Sequence, residues 1–227
     1  RLLVQSLARP NGSTTGYSYN SINQLTEIAN RTGAGAVIDR YAYTHASRDM
    51  IANETVETAQ ALTALSESLQ TYNYNQVNQL QDKTNPEKSL VYDADGNLIQ
   101  GYTPDGETFA AAYDAENRLT SIEYTDSQSG QHRRLEFSYY YSDFLARVQT
   151  YVNQAKVADL HIVRSGYLPM QDRDGSNAVQ RSYTWGLNMG GGIGGLLAVV
   201  QGDQHYQYLY DGKGNVSAVL DAAAQPV

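Results

Sequence analysis

The sequence contains no cysteine among its 227 residues, which excludes disulfide bonds and thiolate metal sites. Apolar runs are also short. The longest candidate, from Ile193 to Val200, is interrupted by two glycines and is far below the roughly 20 residues that span a bilayer, so we predict no membrane span. The formal net charge of −8 argues against binding to nucleic acid, because a phosphate backbone requires a basic stripe.

Aromatic residues other than tyrosine are rare: three phenylalanines and one tryptophan stand beside 19 tyrosines. Tyrosine joins an apolar ring to a hydroxyl, so it suits a sheet face that is only partly dry. The apolar fraction of 41% is sufficient for a packed core. The chain begins with Arg1 and has no signal-peptide pattern, so we expect an internal fragment of a longer protein.

A tyrosine-led motif recurs along the chain. Each copy reads tyrosine, Asp or Asn, two variable positions, Gly or Asn, a polar residue and an aliphatic residue. The predicted structural repeat residues are Tyr19, Asn20, Asn23 and Leu25; Tyr74, Asn75, Asn78 and Leu80; Tyr92, Asp93, Gly96 and Leu98; Tyr113, Asp114, Asn117 and Leu119; and Tyr210, Asp211, Gly214 and Val216.

The motif order predicts a β-hairpin. Asp or Asn at the first corner of a type I turn accepts hydrogen bonds from the turn backbone. Gly or Asn three residues later tolerates positive φ and closes a three-residue hairpin with a bulge. The flanking tyrosine and aliphatic residue suit strands. We therefore predict an all-β fold, a continuous antiparallel sheet of repeated hairpins with roughly sixteen to nineteen short strands.

Two tyrosines, Tyr43 and Tyr141, are interpreted as the start of degenerate copies, and the spacing between copies is irregular. Between the copies, Gly, Asn, Asp and Pro clusters predict return turns. Apolar residues from Val56 to Leu69 fall at helical spacing. A loop and a single helical turn both remain open for Thr58 to Ser66. No linker divides the chain, so residues 1–227 are predicted to form one domain.

The motif resembles the YD repeat of the Rhs (rearrangement hot spot) family, which includes bacterial polymorphic toxins, insecticidal toxin complex C components, wall-associated proteins and the animal teneurins. The stretch 181–227 is similar to the segment that precedes the conserved Rhs core. The resemblance implies a sheet curved into a spiral or partial barrel-like shell. It also implies a bacterial protein that is secreted or at the cell surface. The partners that it implies are the rest of the same shell and a C-terminal toxin passenger.

Motifs that suggest chemistry have simpler explanations. The loop 93–97 and the loop 172–177 are rich in Asp but lack the oxygen set and flanking helices of a calcium loop. Gly190, Gly192 and Gly195 match a dinucleotide motif, but a strand is predicted to follow them, not a helix. The four histidines are dispersed. We therefore predict no catalytic, cofactor-binding or metal-binding residues.

Two of the turn carboxylates Asp93, Asp114 and Glu116 could pair as a glycosidase acid and nucleophile, but their place at turn corners explains them more simply. The repeated tyrosines are predicted to form a cross-strand ladder, with a sugar-stacking surface as the alternative. The leading function is thus a non-catalytic shell segment that encapsulates or presents a toxin or effector. The alternative is a surface module that binds a glycan or a protein receptor. Open sheet edges also predict self-association.

Overall fold

The structure is a computed structural model that describes residues 3–46, 50–59, 72–81, 90–141, 143–186 and 195–227. This part of the chain contains nineteen strands and no helix, which confirms the all-β prediction. For Thr58 to Ser66 a loop and a helical turn were both open, and the part of this segment after Ala59 lies outside the described residues. The glycine motif also lies outside them, except for Gly195.

The first seven strands form two sheets. The strands of the five-stranded sheet follow chain order and are β1 (Ser6–Ala8), β2 (Thr14–Tyr19), β3 (Leu25–Arg31), β4 (Val37–His45) and β5 (Ile51–Thr58). A separate pair consists of β6 (Asn73–Tyr74) and β7 (Leu80–Gln81).

The remaining strands form one open, twelve-stranded sheet, again in chain order. They are β8 (Val91–Tyr92), β9 (Leu98–Tyr102), β10 (Thr108–Tyr113), β11 (Leu119–Thr125), β12 (His132–Tyr139), β13 (Leu145–Val152), β14 (Ala155–Ser165), β15 (Leu168–Asp174), β16 (Val179–Trp185), β17 (Leu196–Gln201), β18 (Gln204–Tyr210) and β19 (Val216–Leu220). The described strands thus lie in three sheets, although a single continuous sheet was predicted. Hairpin connections explain the simple order, because antiparallel neighbours need only short turns.

The chain divides into two compact units, the first formed by Arg1–Leu65 with Arg181–Val227 and the second by Ser66–Gln180. The first unit contains the buried apolar cluster, in which Ile38 of β4 packs with Leu209 of β18 and with Ala218 and Leu220 of β19. Leu209 and Leu220 are fully buried, and each such leucine contributes about 1.5–3 kcal/mol.

The second unit has a different character. Among its described residues only Gly101 and Asp172 are buried, and most strand residues are half-buried. The ring of Phe109 covers Gly101, its partner across β9 and β10. Antiparallel sheets tolerate such partly wet faces, so strand pairing and links between hairpins carry more of the stability here.

Candidate functional site: the repeat turn and its links

The repeat turn is seen clearly between β10 and β11. Tyr113 pairs with Leu119 across the hairpin, next to a bulge. The Asp114 N–H donates to the Arg118 carbonyl (3.0 Å), and the Asn117 N–H donates to the Asp114 carbonyl (3.1 Å). The Asp114 carboxylate accepts the Arg118 N–H (3.0 Å). Asn117 takes the left-handed conformation with φ 60°, as a three-residue hairpin loop with a bulge requires.

The other motif copies have the same arrangement. Their corner residues are Asn23 (φ 66°), Asn78 (φ 63°), Gly96 (φ 90°) and Gly214 (φ 86°). At the first corner, the Asn20 and Asn75 amides and the Asp93 and Asp211 carboxylates accept backbone N–H groups of their own turns. The paired residues are Tyr19 with Leu25, Tyr74 with Leu80, Tyr92 with Leu98, and Tyr210 with Val216.

The return turns use this geometry too, which the sequence analysis missed. Between β9 and β10, the Thr103 N–H donates to the Glu107 carbonyl (2.9 Å), the Gly106 N–H donates to the Thr103 carbonyl (2.9 Å), and Gly106 has φ 93°. Turns 8–14, 31–37, 173–179 and 220–226 repeat these bonds, with Gly12, Gly35, Asn177 and Ala224 at the positive-φ corner. The signal in most of them is Gly or Asn at that corner, without the flanking tyrosine.

The first degenerate copy begins at His45 and not at Tyr43. His45 pairs with Ile51 across the β4–β5 hairpin, and the Ala46 N–H donates to the Met50 carbonyl (2.8 Å). Tyr43 lies two residues earlier on the same face of β4. The tyrosine pattern alone did not distinguish these two registers, because residues at spacing two share a face.

The second degenerate copy begins at Tyr139 and not at Tyr141. Tyr139 pairs with Leu145, and the Asp143 N–H donates to the Tyr140 carbonyl (3.1 Å). Asp143 occupies the corner with φ 63°. Tyr141 lies inside the turn and is 99% exposed. The residue with positive φ, rather than the nearest tyrosine, defines the register.

The first residue of a motif copy links its hairpin to the preceding one. The tyrosine hydroxyl donates to the backbone carbonyl of the residue that begins the second strand of the previous copy. The bonds are Tyr92 to Leu80 (3.1 Å), Tyr113 to Leu98 (3.3 Å) and Tyr139 to Leu119 (2.8 Å). Tyr19 and Tyr210 bond in the same way to the carbonyls of Val4 (2.9 Å) and Leu196 (2.7 Å).

Other side chains make this link where tyrosine is absent. The His45 Nε2 lies 2.7 Å from the Leu25 carbonyl, and the Arg164 Nε donates to the Leu145 carbonyl (3.2 Å). The bulge beside each turn interrupts the ladder, and a side-chain donor from the next hairpin reaches a carbonyl at that point. The predicted ladder placed ring on ring, whereas the described links of these tyrosines run through their hydroxyls.

Neighbouring turns are also joined at their tips. The Asn97 Nδ2 donates to the Asn117 Oδ1 (2.8 Å), and the Arg118 guanidinium donates to the Asp143 carboxylate (2.8 Å). The same guanidinium lies 5.1 Å from the ring centroid of Tyr139. The backbone N–H and the guanidinium of Arg118 lower the pKa of Asp114. These contacts are exposed to solvent, so each adds little to stability.

A buried polar chain crosses the first unit. The Arg9 guanidinium donates to Thr15 Oγ1 (2.8 Å), Thr15 donates to Asn30 Oδ1 (2.5 Å), and the Asn30 amide donates to Asp39 Oδ1 (2.5 Å). The Ser217 hydroxyl completes the chain at Asp39 Oδ2 (2.9 Å). Burial raises the pKa of Asp39, although the bonds from Asn30 and Ser217 lower it. No sequence motif indicated this network, because its members come from distant strands.

Tyr43 has a different role from the one its sequence position suggested. It is buried, and its hydroxyl accepts the N–H of Gly212 (2.7 Å) in the last motif turn. Lys213 of the same turn forms an ion pair with Glu54 of β5. A Cβ at position 212 would lie 2.7 Å from the Tyr43 ring, so this close approach requires glycine.

The Asp-rich loops are turns in the structure. The Asp93 carboxylate accepts the N–H groups of Asp95 (3.0 Å) and Asn97 (2.9 Å), and Asp174 accepts those of Ser176 and Ala178. Within the described ranges, no group of three or more His, Asp or Glu side chains is placed to hold a metal ion. No helix in that part of the chain is long and apolar enough to cross a membrane.

This geometry defines a protein built from β-hairpin repeats, each joined to the last through its motif turn. Residues 92–134 match the RHS Repeat family model, and they contain two motif turns and the return turn between them. Over these residues the chain is similar to the repeats of the Rhs/YD-repeat family.

Two curated relatives extend the comparison. The chain is 29% identical over 209 residues to the tRNA3(Ser)-specific nuclease WapA of Bacillus spizizenii, and 29% identical over 211 residues to the tRNA nuclease WapA of Bacillus subtilis. These alignments cover 91% and 92% of the chain, but only 8% of the length of each relative.

A solved structure shares the fold. The Photorhabdus luminescens Tc holotoxin pore, which carries a mutation in TccC3, superposes with a TM-score of 0.51 at 12% identity. The match covers 97% of this chain and 14% of that chain. The likeness therefore extends over nearly all nineteen strands described above.

Proposed function

We propose that the chain is a wall segment of an Rhs/YD-repeat protein and that this wall encloses or presents a C-terminal toxin or effector. The observation that carries the proposal is the link in which one hairpin donates to a carbonyl of the hairpin before it. Such a link joins hairpins in series and needs no substrate. The similarity to the WapA nucleases and the fold shared with a Tc holotoxin structure support the toxin context.

The segment itself is proposed to be non-catalytic. The carboxylates at its turns are occupied by backbone N–H groups, so they are not free to act as a general acid or base. We place the nuclease activity named for the WapA relatives outside the segment that this chain matches. Secretion or display at a bacterial surface belongs to the same proposal, as do the partners: the rest of the shell and its passenger.

Limited proteolysis of the longer polypeptide, including its passenger, tests encapsulation. The test variant combines Gly96→Val and Asn117→Val, which places branched side chains at two positive-φ corners. The control combines Ala94→Val and Ala115→Val at variable, exposed positions of the same turns. We expect the passenger to be cleaved at least tenfold faster in the test variant alone. Encapsulation would be refuted if the passenger of the test variant were cleaved no faster than that of the control although the sheet of the test variant had lost its circular dichroism signal.

A second candidate function, glycan binding, is favoured by one cluster. In the turn 139–145 aromatic residues replace the polar ones, and Tyr141 and Tyr167 are 99% and 73% exposed. Phe144 and Tyr167 meet edge to face at 5.2 Å, and Arg164 lies over the Phe144 ring. Exposed aromatic rings with hydroxyls suit the apolar faces of sugars.

A glycan array probed with the full chain tests this second candidate. The variant Tyr141→Ala/Tyr167→Ala removes the exposed rings, and Tyr72→Ala removes an exposed tyrosine outside the cluster. Saturable binding that only the double variant loses would support glycan recognition. Binding that survives in the double variant, or no binding by the parent chain, would exclude this role for the cluster.

A further inference from the structure

A cavity of about 250 Å³ lies within the first unit, where the turn after β1 meets β17 and β18. Its walls are mainly apolar and include Leu7, Leu197 and Val200. Arg9 also lines the cavity, although it is only 8% exposed. A buried cation beside an apolar cavity is uncommon, because arginine is rarely buried without a partner anion.

The hydrogen bonds of Arg9 leave part of its guanidinium unused. Arginine has five N–H donors in a planar fork. Nη1 donates to Thr15 Oγ1 (2.8 Å), and Nη2 makes a long bond to the Tyr208 carbonyl (3.4 Å). Nε is buried and has no partner. A buried donor without an acceptor is unfavourable, so an added acceptor at Nε would be favourable.

No carboxylate lies directly against Arg9 in the described part of the chain. Asp39 is reached only through Thr15 and Asn30, and both of its oxygens accept bonds from neutral side chains. The two charges therefore share a network without forming an ion pair. Guanidinium groups in such settings bind carboxylates through two parallel hydrogen bonds.

We propose that this cavity binds a carboxylate carried on a small aliphatic group. The carboxylate binds the Arg9 guanidinium, and the aliphatic part packs against Leu7, Leu197 and Val200. The volume sets the size of the ligand, since drug-sized molecules occupy pockets of about 300–1,000 Å³. The carboxylate comes either from a free short-chain acid or from a peptide that ends in an aliphatic residue.

Isothermal titration of the full chain with 4-methylpentanoate tests the proposal, and 4-methylpentanamide is the matched neutral probe. We expect saturable binding of the acid that is at least tenfold tighter than that of the amide. Arg9→Met removes the charge and keeps most of the side-chain length. Ala198→Leu fills the cavity and leaves Arg9 in place. Both variants are expected to weaken acid binding at least tenfold.

Two further probes distinguish the sources of the carboxylate. A hexapeptide ending in leucine is compared with the same peptide carrying a C-terminal amide. Binding of the free-ended peptide alone assigns the cavity to a polypeptide terminus, and binding of 4-methylpentanoate alone assigns it to a small acid. If Arg9→Met unfolds the chain, Ala198→Leu still decides. Equal affinity for the acid and the amide, or undiminished binding by folded Ala198→Leu, would overturn the proposal.

Discussion

The corner position of the repeat turn has positive φ, and this backbone conformation determines which residue types occur there. Only glycine adopts this conformation freely, and asparagine and aspartate are the next most tolerant. Asn23, Asn78, Asn117, Asp143 and Asn177 follow this preference in the described turns. Ala224 does not, since it occupies a corner with φ 59° and is buried in the apolar cluster. Its burial accounts for a small apolar residue at that position.

Asn23 provides a test of this conformational preference, because it is exposed and has no described side-chain bond that a substitution would remove. Asn23→Ala is expected to lower the free energy of unfolding by about 1 kcal/mol, since alanine is strained at φ 66°. Asn23→Gly should have little effect. Urea unfolding of both variants measures the difference, with Ser21→Ala in the same turn as the control. Equal stability of Asn23→Ala and Asn23→Gly would contradict the role assigned to the corner.

Gly212 is constrained by a neighbour instead of by its own φ. Gly212→Ala places a methyl group 2.7 Å from the buried Tyr43 ring and should destabilise the chain by about 1–3 kcal/mol. Gly16→Ala adds the same methyl group where the nearest heavy atom, the Ala29 carbonyl oxygen, is 4.0 Å away. Thermal unfolding of the two variants compares the sites. A loss of stability at Gly16 as large as at Gly212 would show that the close approach is not the cause.

The local features of these turns could be predicted from the sequence, and the distant contacts could not. Asp at one corner and Gly or Asn at the next act on backbone groups within a few residues, so the motif alone predicts them. The partner of Gly212 is Tyr43, 169 residues away along the chain. No local pattern distinguishes a tyrosine that makes such a contact from one that begins a repeat.

At the scale of elements, the tyrosine hydroxyl joins one hairpin to the next. Tyr139→Phe removes the bond to the Leu119 carbonyl (2.8 Å) and leaves the ring in place. We expect a loss of about 0.5–1.5 kcal/mol in the free energy of unfolding, the usual net value of one hydrogen bond. Hydrogen exchange should also become faster in β11 and β12. Denaturant titration and amide exchange measure the two effects.

Tyr141→Phe is the matched control, because this tyrosine is two residues away and 99% exposed. It should leave both the unfolding free energy and the exchange rates unchanged. The pair also tests the register of the degenerate copy. A larger effect at Tyr141 than at Tyr139 would restore the register that the sequence suggested.

The sequence predicted which segments form strands and hairpins better than it predicted the register of the degenerate copies. Alternating tyrosines and turn residues predicted strands and hairpins, and nineteen strands are described. The two degenerate copies were misplaced by two residues, since a shift of two keeps every side chain on the same face. His45 and Arg164, which replace tyrosine in the link, carry no sequence signal because their role depends on a carbonyl in another hairpin.

At the scale of the whole molecule, two carboxylates should respond to pH in opposite directions. Burial raises the pKa of Asp39 above its ordinary value near 3.8. Arg147 and Lys156 lower the pKa of Asp159, which is held by two bonds from Arg147 (2.7 and 2.6 Å) and one from Lys156 (2.8 Å). A raised pKa means that the native state binds the proton before the unfolded state does, and a lowered pKa means the reverse.

The sign follows from this order. As pH falls through the raised pKa of folded Asp39, the wild-type chain should gain stability relative to Asp39→Asn, until the unfolded pKa near 3.8 is passed. The advantage of wild type over Asp159→Asn should be full at neutral pH and should be lost as pH falls below about 4. Urea unfolding from pH 7 to pH 3 measures both differences. A change of the same sign in the two pairs would contradict the assignment.

The open edges of the sheets lead to the last prediction. β5 is an end strand of the five-stranded sheet, most of its side chains are exposed, and Val56 is among them. An end strand has unpaired backbone groups, and exposed apolar side chains make it a template for another strand. We therefore expect the chain to self-associate as its concentration rises. Val56→Lys should reduce this association at least tenfold, because a lysine on an edge strand opposes pairing.

Analytical ultracentrifugation across a concentration series measures the effect. Val163→Lys provides the control, because Val163 is also an exposed valine on a strand, but it pairs with Gln171 in a sheet in which β14 has a neighbour on each side. Loss of association in both variants would point to a general charge effect. A parent chain that stays monomeric at high concentration would contradict the predicted pairing through the edge of β5.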